Sequence, residues 1–287
     1  MKKLIYFFQF IIIYLLFIIF KILGYKNSSN FGFLIGKYIG PIFRSKNKIN
    51  NIINQIDELK DKKIEKNFAS NVLGNYGRVF AEYPHLKNFR NNKLDKFIKI
   101  EGEEFLKDIK NRGKKAVFIS GHFNNFELMA MQIEKAGIDL VAIYRPLNNT
   151  FLNHTMEKIR INYICKKQIR KGKSGTRELI ENLKKGSSVA LMIDQRVTEG
   201  SKVNFFGKIA TTTTIPAQLI KKYECELVPV YIERYNNYFF KMYISKPLKI
   251  SKEKSIDEIT IYLNNVLEKM ILKNPNQWIW THDRWKK

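Results

Sequence analysis

The octapeptide Ser120-Gly121-His122-Phe123-Asn124-Asn125-Phe126-Glu127 sets an imidazole and a carboxylate five positions apart, directly after an apolar run. On a regular helix that spacing leaves the two side chains about 140° apart. They can meet only if His122 lies in a strand-to-helix turn and Glu127 on the first turn of the helix. Gly121 offers the backbone freedom for such a turn, and Asn124 or Asn125 can cap the helix. A carboxylate beside an imidazole fixes its tautomer and stabilises the imidazolium, which makes His122 a competent general base. The free N–H groups at a helix start can stabilise a developing oxyanion. The same residues also suit a plain turn histidine followed by a favourable first-turn acid, and spacing alone leaves both readings open.

The surrounding pattern supplies the elements such a site needs. Residues 115–120 (KAVFIS), 139–144 (DLVAIY) and 188–194 (SVALMID) are apolar, β-branched runs that read as buried strands. Between and around them, residues 103–112, 126–135, 151–162, 176–185 and 215–223 read as helices. Residues 227–233 and 238–244 read as strands joined by a turn at Asn236-Asn237, and residues 256–272 as a long last helix. Helices alternating with continuous apolar strands predict an α/β fold with a mostly parallel central sheet flanked by helices. Ligands of such sheets gather beyond the carboxyl ends of the strands, where His122 falls.

Composition narrows the partners. The chain has 287 residues, 51 Lys+Arg against 26 Asp+Glu, and a net charge of +25. Part of this excess follows a compositional drift toward Lys, Ile and Asn, since Arg is scarce. The rest favours anionic partners: acidic proteins, phospholipid surfaces, phosphorylated substrates or nucleic acid. No aromatic-basic recognition motif or helix-turn-helix signature supports nucleic acid. Two cysteines, Cys165 and Cys225, exclude a disulfide scaffold, and without a CxxC pair a cysteine-built zinc site is not indicated. Neither cysteine sits in a motif, and both read as buried spectators. His154 and His282 are too scattered to argue for a metal, and no cofactor motif is present.

Residues 4–20 (LIYFFQFIIIYLLFIIF) form an apolar run interrupted only by Gln9. As a helix it is about 26 Å long, close to the roughly 30 Å of a bilayer's hydrocarbon core. The bulky KILGYKN that follows is a poor cleavage site, so a retained membrane anchor is predicted. Lysines flank both ends, which leaves the orientation open, and a helix lying in the interface is an alternative to a spanning one. Residues 45–66 carry Ile49, Ile52, Ile53, Ile56 and Leu59 at helical spacing. The chain therefore divides into an anchor (1–25), a helical basic segment (26–97) and an α/β region (98–287).

GHFNNFELMA is similar to the H-x4-E block of the bacterial lipid A late acyltransferases, the lauroyl/myristoyl transferases within the glycerolipid acyltransferase superfamily. Further blocks follow in the family's order. They are Tyr144-Arg145-Pro146, then Arg160, Lys173-Ser174-Gly175-Thr176-Arg177, Asp194-Gln195 and Phe205-Phe206-Gly207 with residues 211–218. Last come Gln277-Trp278-Ile279-Trp280 and Arg284-Trp285. Residues 45–95 match no motif, and Arg196 stands where many members carry a further acid.

The resemblance implies an acyltransferase that moves a fatty acyl chain from an acyl carrier protein thioester to a hydroxyl of a lipid A precursor. It implies His122 as general base oriented by Glu127, with no covalent acyl-enzyme, metal or cofactor. Arg145, Arg160, Asp194 and Gln195 are the implied substrate-binding residues: guanidinium binds phosphate bidentately, and a strand-end acid can hold an arginine or an acceptor hydroxyl. It places the protein at the bacterial inner membrane with its catalytic region on the cytoplasmic face, where carrier thioesters are. Trp278, Trp280 and Trp285 fit either the bilayer interface or the core. The competing readings are an acyltransferase for another phospholipid, aminolipid or glycolipid acceptor, and a membrane-anchored, non-catalytic basic binding protein.

Overall fold

The structure, a computed structural model, describes residues 1–60 and 67–286. Helix α1 (Lys2–Tyr38) is followed by α2 (Gly40–Phe43), α3 (Lys46–Ile53), α4 (Asp57–Lys60), α5 (Phe68–Glu82) and α6 (Leu86–Arg90). Strand β1 (Ile98–Glu101) leads into α7 (Glu103–Asn111), β2 (Ala116–Ser120), α8 (Glu127–Lys135), β3 (Leu140–Tyr144) and α9 (Thr150–Ile159). Next come β4 (Lys167–Arg170), α10 (Lys173–Lys184), β5 (Ser188–Met192), β6 (Ser201–Phe205) and β7 (Lys208–Thr212). The chain closes with α11 (Ile215–Tyr223), β8 (Glu226–Tyr235), β9 (Phe239–Ile244) and α12 (Ile256–Lys273).

Seven strands form one sheet in the order β1-β9-β8-β2-β5-β3-β4. Every neighbouring pair is parallel except β8 and β9, which are antiparallel. The sheet is thus mostly parallel, as the alternation of helices and apolar runs predicts. All five residues of β2 are buried, which is why its sequence is a continuous apolar run with no alternation. The short β1 and β4 and the separate β6–β7 hairpin were not foreseen. Each is only four or five residues long and mixes lysines with apolar residues.

The amino-terminal helix differs from the expected anchor. It breaks at Gly24, whose φ of 72° and ψ of 165° are non-helical and suit a residue without Cβ. The helix resumes beyond the break, reaches Tyr38 and packs on α5. Gly32 and Gly36 of α1 cross Gly77 and the Leu73–Gly74 backbone of α5. A Cβ on Gly36 would stand 3.0 Å from the Gly74 Cα and closer still to the Leu73 carbonyl, so small residues are what let the two backbones meet. The single helix read over residues 45–66 is instead two short ones. α3 buries Ile49, Ile52 and Ile53, and the chain turns at Asn54-Gln55 before α4 buries Leu59. Residues 61–66 of that reading lie outside the described residues.

Two buried networks fasten these helices to the sheet. Glu82 at the end of α5 accepts hydrogen bonds from Arg234 of β8 (2.6 and 2.9 Å), Ser29 of α1 (2.7 Å) and Asn125 (3.0 Å). Beside the Gly24 break, a nitrogen of His85 lies 3.1 Å from both the Phe20 carbonyl and the Ser28 hydroxyl. Trp278 and Trp280 are in the core, 1 % and 0 % exposed, with their rings edge to face at 4.7 Å. Of the two readings open for them, core packing is the one the fold shows.

Candidate active site

β2 and β5 are parallel neighbours, with Ser120 opposite Met192. The ladder runs one step further, Ile193 N–H donating to the Ser120 carbonyl at 2.9 Å. His122 and Asp194 therefore leave the same end of two adjacent strands side by side. Nδ1 of His122 lies 2.7 Å from Asp194 Oδ1, and the His122 main-chain N–H donates to Oδ2 at 2.6 Å. Trp278 Nε1 donates to the same Oδ2 at 2.9 Å. Asp194 is 1 % exposed, and a buried carboxylate is tolerable only because these donors surround it.

The electrostatics of the pair follow. Burial alone would pull the His122 pKa down, but the Asp194 carboxylate outweighs it and holds the pKa above the ordinary histidine value. Burial likewise opposes ionisation of Asp194, and His122, with the donors around the carboxylate, keeps its pKa below the usual range. With Nδ1 committed to Asp194, the proton-accepting position left to the ring is Nε2. Among the described residues, Nε2 makes no hydrogen bond. The edge of Phe126 packs on the imidazole at 4.7 Å. In front of the imidazole lies a mostly apolar cavity of about 190 Å³, lined by His122, Phe126, Ile279 and, from α5, Tyr76 and Val79.

Glu127 does not hold the imidazole. Its Oε1 accepts from Arg160 Nε at 3.0 Å and Nη2 at 2.9 Å, and from the Tyr83 hydroxyl. It reaches His122 only through space. This corrects the expectation drawn from the five-residue spacing: the partner of Nδ1 is Asp194, 72 positions away in the chain. Glu127 is 7 % exposed and begins α8. Arg160 begins the π-turn Arg160–Ile164 that continues α9, and its guanidinium also stands 5.8 Å from the Tyr144 ring. Burial disfavours its charge, yet Glu127 and Tyr83 raise its pKa further.

Three details of the turn also depart from the reading. Gly121 has no positive φ; the residue that has one is Asn124, at 43°, a conformation asparagine tolerates. What a side chain at 121 would meet is crowding: a Cβ there would stand 3.1 Å from the Asp194 carboxylate and 3.0 Å from Leu267, so these neighbours would have to give by a few tenths of an ångström. Neither asparagine caps α8. Asn125 donates to Glu82, and Asn124 is clamped by Gln277, whose carbonyl accepts its N–H at 3.0 Å. Asp194, read as a substrate contact, is instead sealed beneath the imidazole.

Arg145 is exposed just beyond β3 and Gln195 is half-buried after Asp194; neither makes a side-chain hydrogen bond among the described residues. Cys165 is fully buried and Cys225 half-buried, and burial pushes both thiols up, Cys165 to about 12. Tyr83 is the site residue that sequence reasoning missed. It lies 44 positions before Glu127 in a stretch that matches no motif, with nothing in the sequence to signal their bond.

The family model for bacterial lipid A biosynthesis acyltransferases matches residues 1–287, the whole chain. The chain belongs to that family. It is similar to the lipid A biosynthesis palmitoleoyltransferase of Escherichia coli K12, with 25 % identity over 235 residues that cover 80 % of this chain and 73 % of that protein. It is also similar to the lipid A biosynthesis lauroyltransferase of the same organism, with 27 % identity over 239 residues covering 80 % and 74 %. An acyltransferase of lipid A biosynthesis of Shigella flexneri matches with 25 % identity over 235 residues. The chain is accordingly an acyltransferase, and its long apolar amino-terminal helix suits membrane anchoring.

Proposed function

We propose that this chain transfers a fatty acyl group from an acyl carrier protein thioester to a hydroxyl of a lipid A precursor, at the cytoplasmic face of the bacterial inner membrane. The observation that carries the chemistry is the His122–Asp194 pair at the rim of an apolar cavity, with Nε2 of His122 left to act. The names of the relatives support the acceptor. The net charge of +25 suits an acidic carrier and an anionic membrane.

In this reading Nε2 takes the hydroxyl proton as the acceptor oxygen attacks the thioester carbonyl. Asp194 holds Nδ1–H and stabilises the imidazolium. When the tetrahedral intermediate collapses, the C–S bond breaks and the imidazolium returns the proton to the leaving thiolate. The products are the ester and the free carrier thiol. Glu127 fixes Arg160, whose Nη1 makes no hydrogen bond among the described residues. Arg160 and the exposed Arg145 bind phosphate of the acceptor or of the carrier's phosphopantetheine, with Gln195 at the acceptor side. The cavity beside Val79 and Phe126 takes the acyl chain.

The test is incubation of the purified protein with acyl carrier thioesters and a panel of acceptors: lipid A precursor, phospholipid, aminolipid and glycolipid. Acylation of the lipid A precursor above all others is the expected result. Preference for another lipid would reassign the acceptor, and transfer to none would remove the catalytic reading.

A further inference from the structure

The first half of α1 is apolar on every side, which by itself reads as a membrane-crossing helix. Its contacts show that one of those sides is taken by protein. Tyr6, Phe10, Ile13, Leu16, Phe17 and Phe20 form a stripe at three-to-four spacing, all half-buried or buried. At the far end of the stripe, Asn149 donates to the Tyr6 carbonyl at 2.8 Å, and the Phe151 ring meets Phe7 at 5.6 Å and Phe10 at 6.2 Å. Gln9, the lone polar residue of the run, lies 3.4 Å from Asn149. At the near end, Phe80 of α5 meets Phe17 at 5.1 Å and Phe20 at 6.1 Å. From Tyr6 to Phe20 is roughly 21 Å of helix. The folded body therefore runs alongside the helix for most of a bilayer's depth.

That arrangement conflicts with a crossing helix. If α1 stood upright, the protein along its Tyr6–Phe20 stripe would enter the bilayer with it, and the irregular backbone 145–149, held to Tyr6 by Asn149, would have to pass through hydrocarbon. Lipid-exposed irregular backbone does not occur there, and charged groups are costly. The opposite face of the helix presents Leu4, Ile5, Phe8, Ile12, Leu15 and Ile19, each at least 45 % exposed. Lys2 and Lys3 are exposed at one end of it, and Lys21 and Lys26 at the other. A row of large apolar side chains with lysines at both ends can lie at the boundary between acyl chains and anionic headgroups, each lysine stem reaching back to the headgroups.

We infer that α1 lies along the surface of an anionic bilayer, in one leaflet, and does not cross it. The catalytic body and both halves of the helix then sit on the same side. The inference rests on packing and is independent of the assignment of His122.

The test is depth measurement on the full-length protein in phosphatidylcholine–phosphatidylglycerol vesicles. Leu4→Trp, Ile12→Trp and Ile19→Trp lie within about 80° of one another on the exposed face. Each is read against wild type by quenching with lipids brominated at successive acyl positions. A flat-lying helix gives all three the same shallow depth. A spanning helix puts Ile12→Trp at the midplane with the other two shallower, and that profile would overturn the inference. So would absence of quenching at all three, as when a second copy of the chain covers this face.

Discussion

The Asp194 carboxylate is bonded twice to one residue, receiving the main-chain N–H of His122 at 2.6 Å and facing its Nδ1 at 2.7 Å. Position and charge of the imidazole are thus set by the same side chain. Burial opposes the imidazolium, the carboxylate more than offsets it, and the net pKa lies above 6.5. A general base works only when neutral, so kcat/KM rises with pH through a pKa above the ordinary histidine value. Asp194→Asn removes the offsetting charge and leaves the burial. The acid limb should move to lower pH, while the plateau falls by about 10²–10⁴. A pH–rate profile of the variant checks both. An unmoved limb would separate Asp194 from the base.

Glu127 acts on Arg160, and its loss should look different. Glu127→Gln leaves the buried guanidinium without its counter-charge. KM for the phosphate-bearing substrate should rise by about tenfold or more, from a contact worth at least 1.4 kcal/mol. Arg160→Ala should cost a similar amount, and the double variant should be far from additive. Steady-state kinetics on the three variants decide it. If Glu127→Gln shifts the pH limb as Asp194→Asn does, Glu127 serves the imidazole after all.

The Glu82–Arg234 pair is a matter of stability. Both side chains are almost fully buried, and Glu82 also holds Ser29 and Asn125. Glu82→Gln strands the charge of Arg234, at a cost of about 3–5 kcal/mol. In a chain of this size that is a fall in Tm of about 10 °C. Thermal unfolding in detergent measures it, and an unchanged Tm would mean the pair is not the fastening it looks to be.

Val79 bears on chain length. Its side chain lines the cavity beside His122, and Val79→Trp should fill part of it. Longer acyl donors should lose kcat/KM relative to shorter ones by about 10-fold or more, the scale of one or two methylenes in an apolar pocket. Competition between donors of different length, read by mass spectrometry, gives the ratio. Equal losses at every length would place the acyl chain elsewhere.

Much of this architecture was legible along the chain because it depends on local pattern. The buried runs that became β2, β3 and β5 and the helix after Glu127 were visible in residue type alone. The His122 partner was not, because it comes from strand register: Ser120 sits opposite Met192 only once β2 and β5 are neighbours. The resemblance makes Asp194 a substrate-binding residue, and proximity in sequence gives Glu127 the role that Asp194 fills. Hydropathy also could not show that one stripe of α1 faces protein, since the covered face is as apolar as the exposed one. The Gly24 break and the glycine crossing on α5 are set by backbone approach, to which periodicity is blind.

The most direct test of the central claim is single-turnover acyl transfer by His122→Ala, with wild-type membrane binding and Tm as controls for folding. The account predicts a transfer rate lower by about 10²–10⁴, with acceptor binding retained. A rate within a few-fold of wild type would contradict it, because some other group would then be taking the proton.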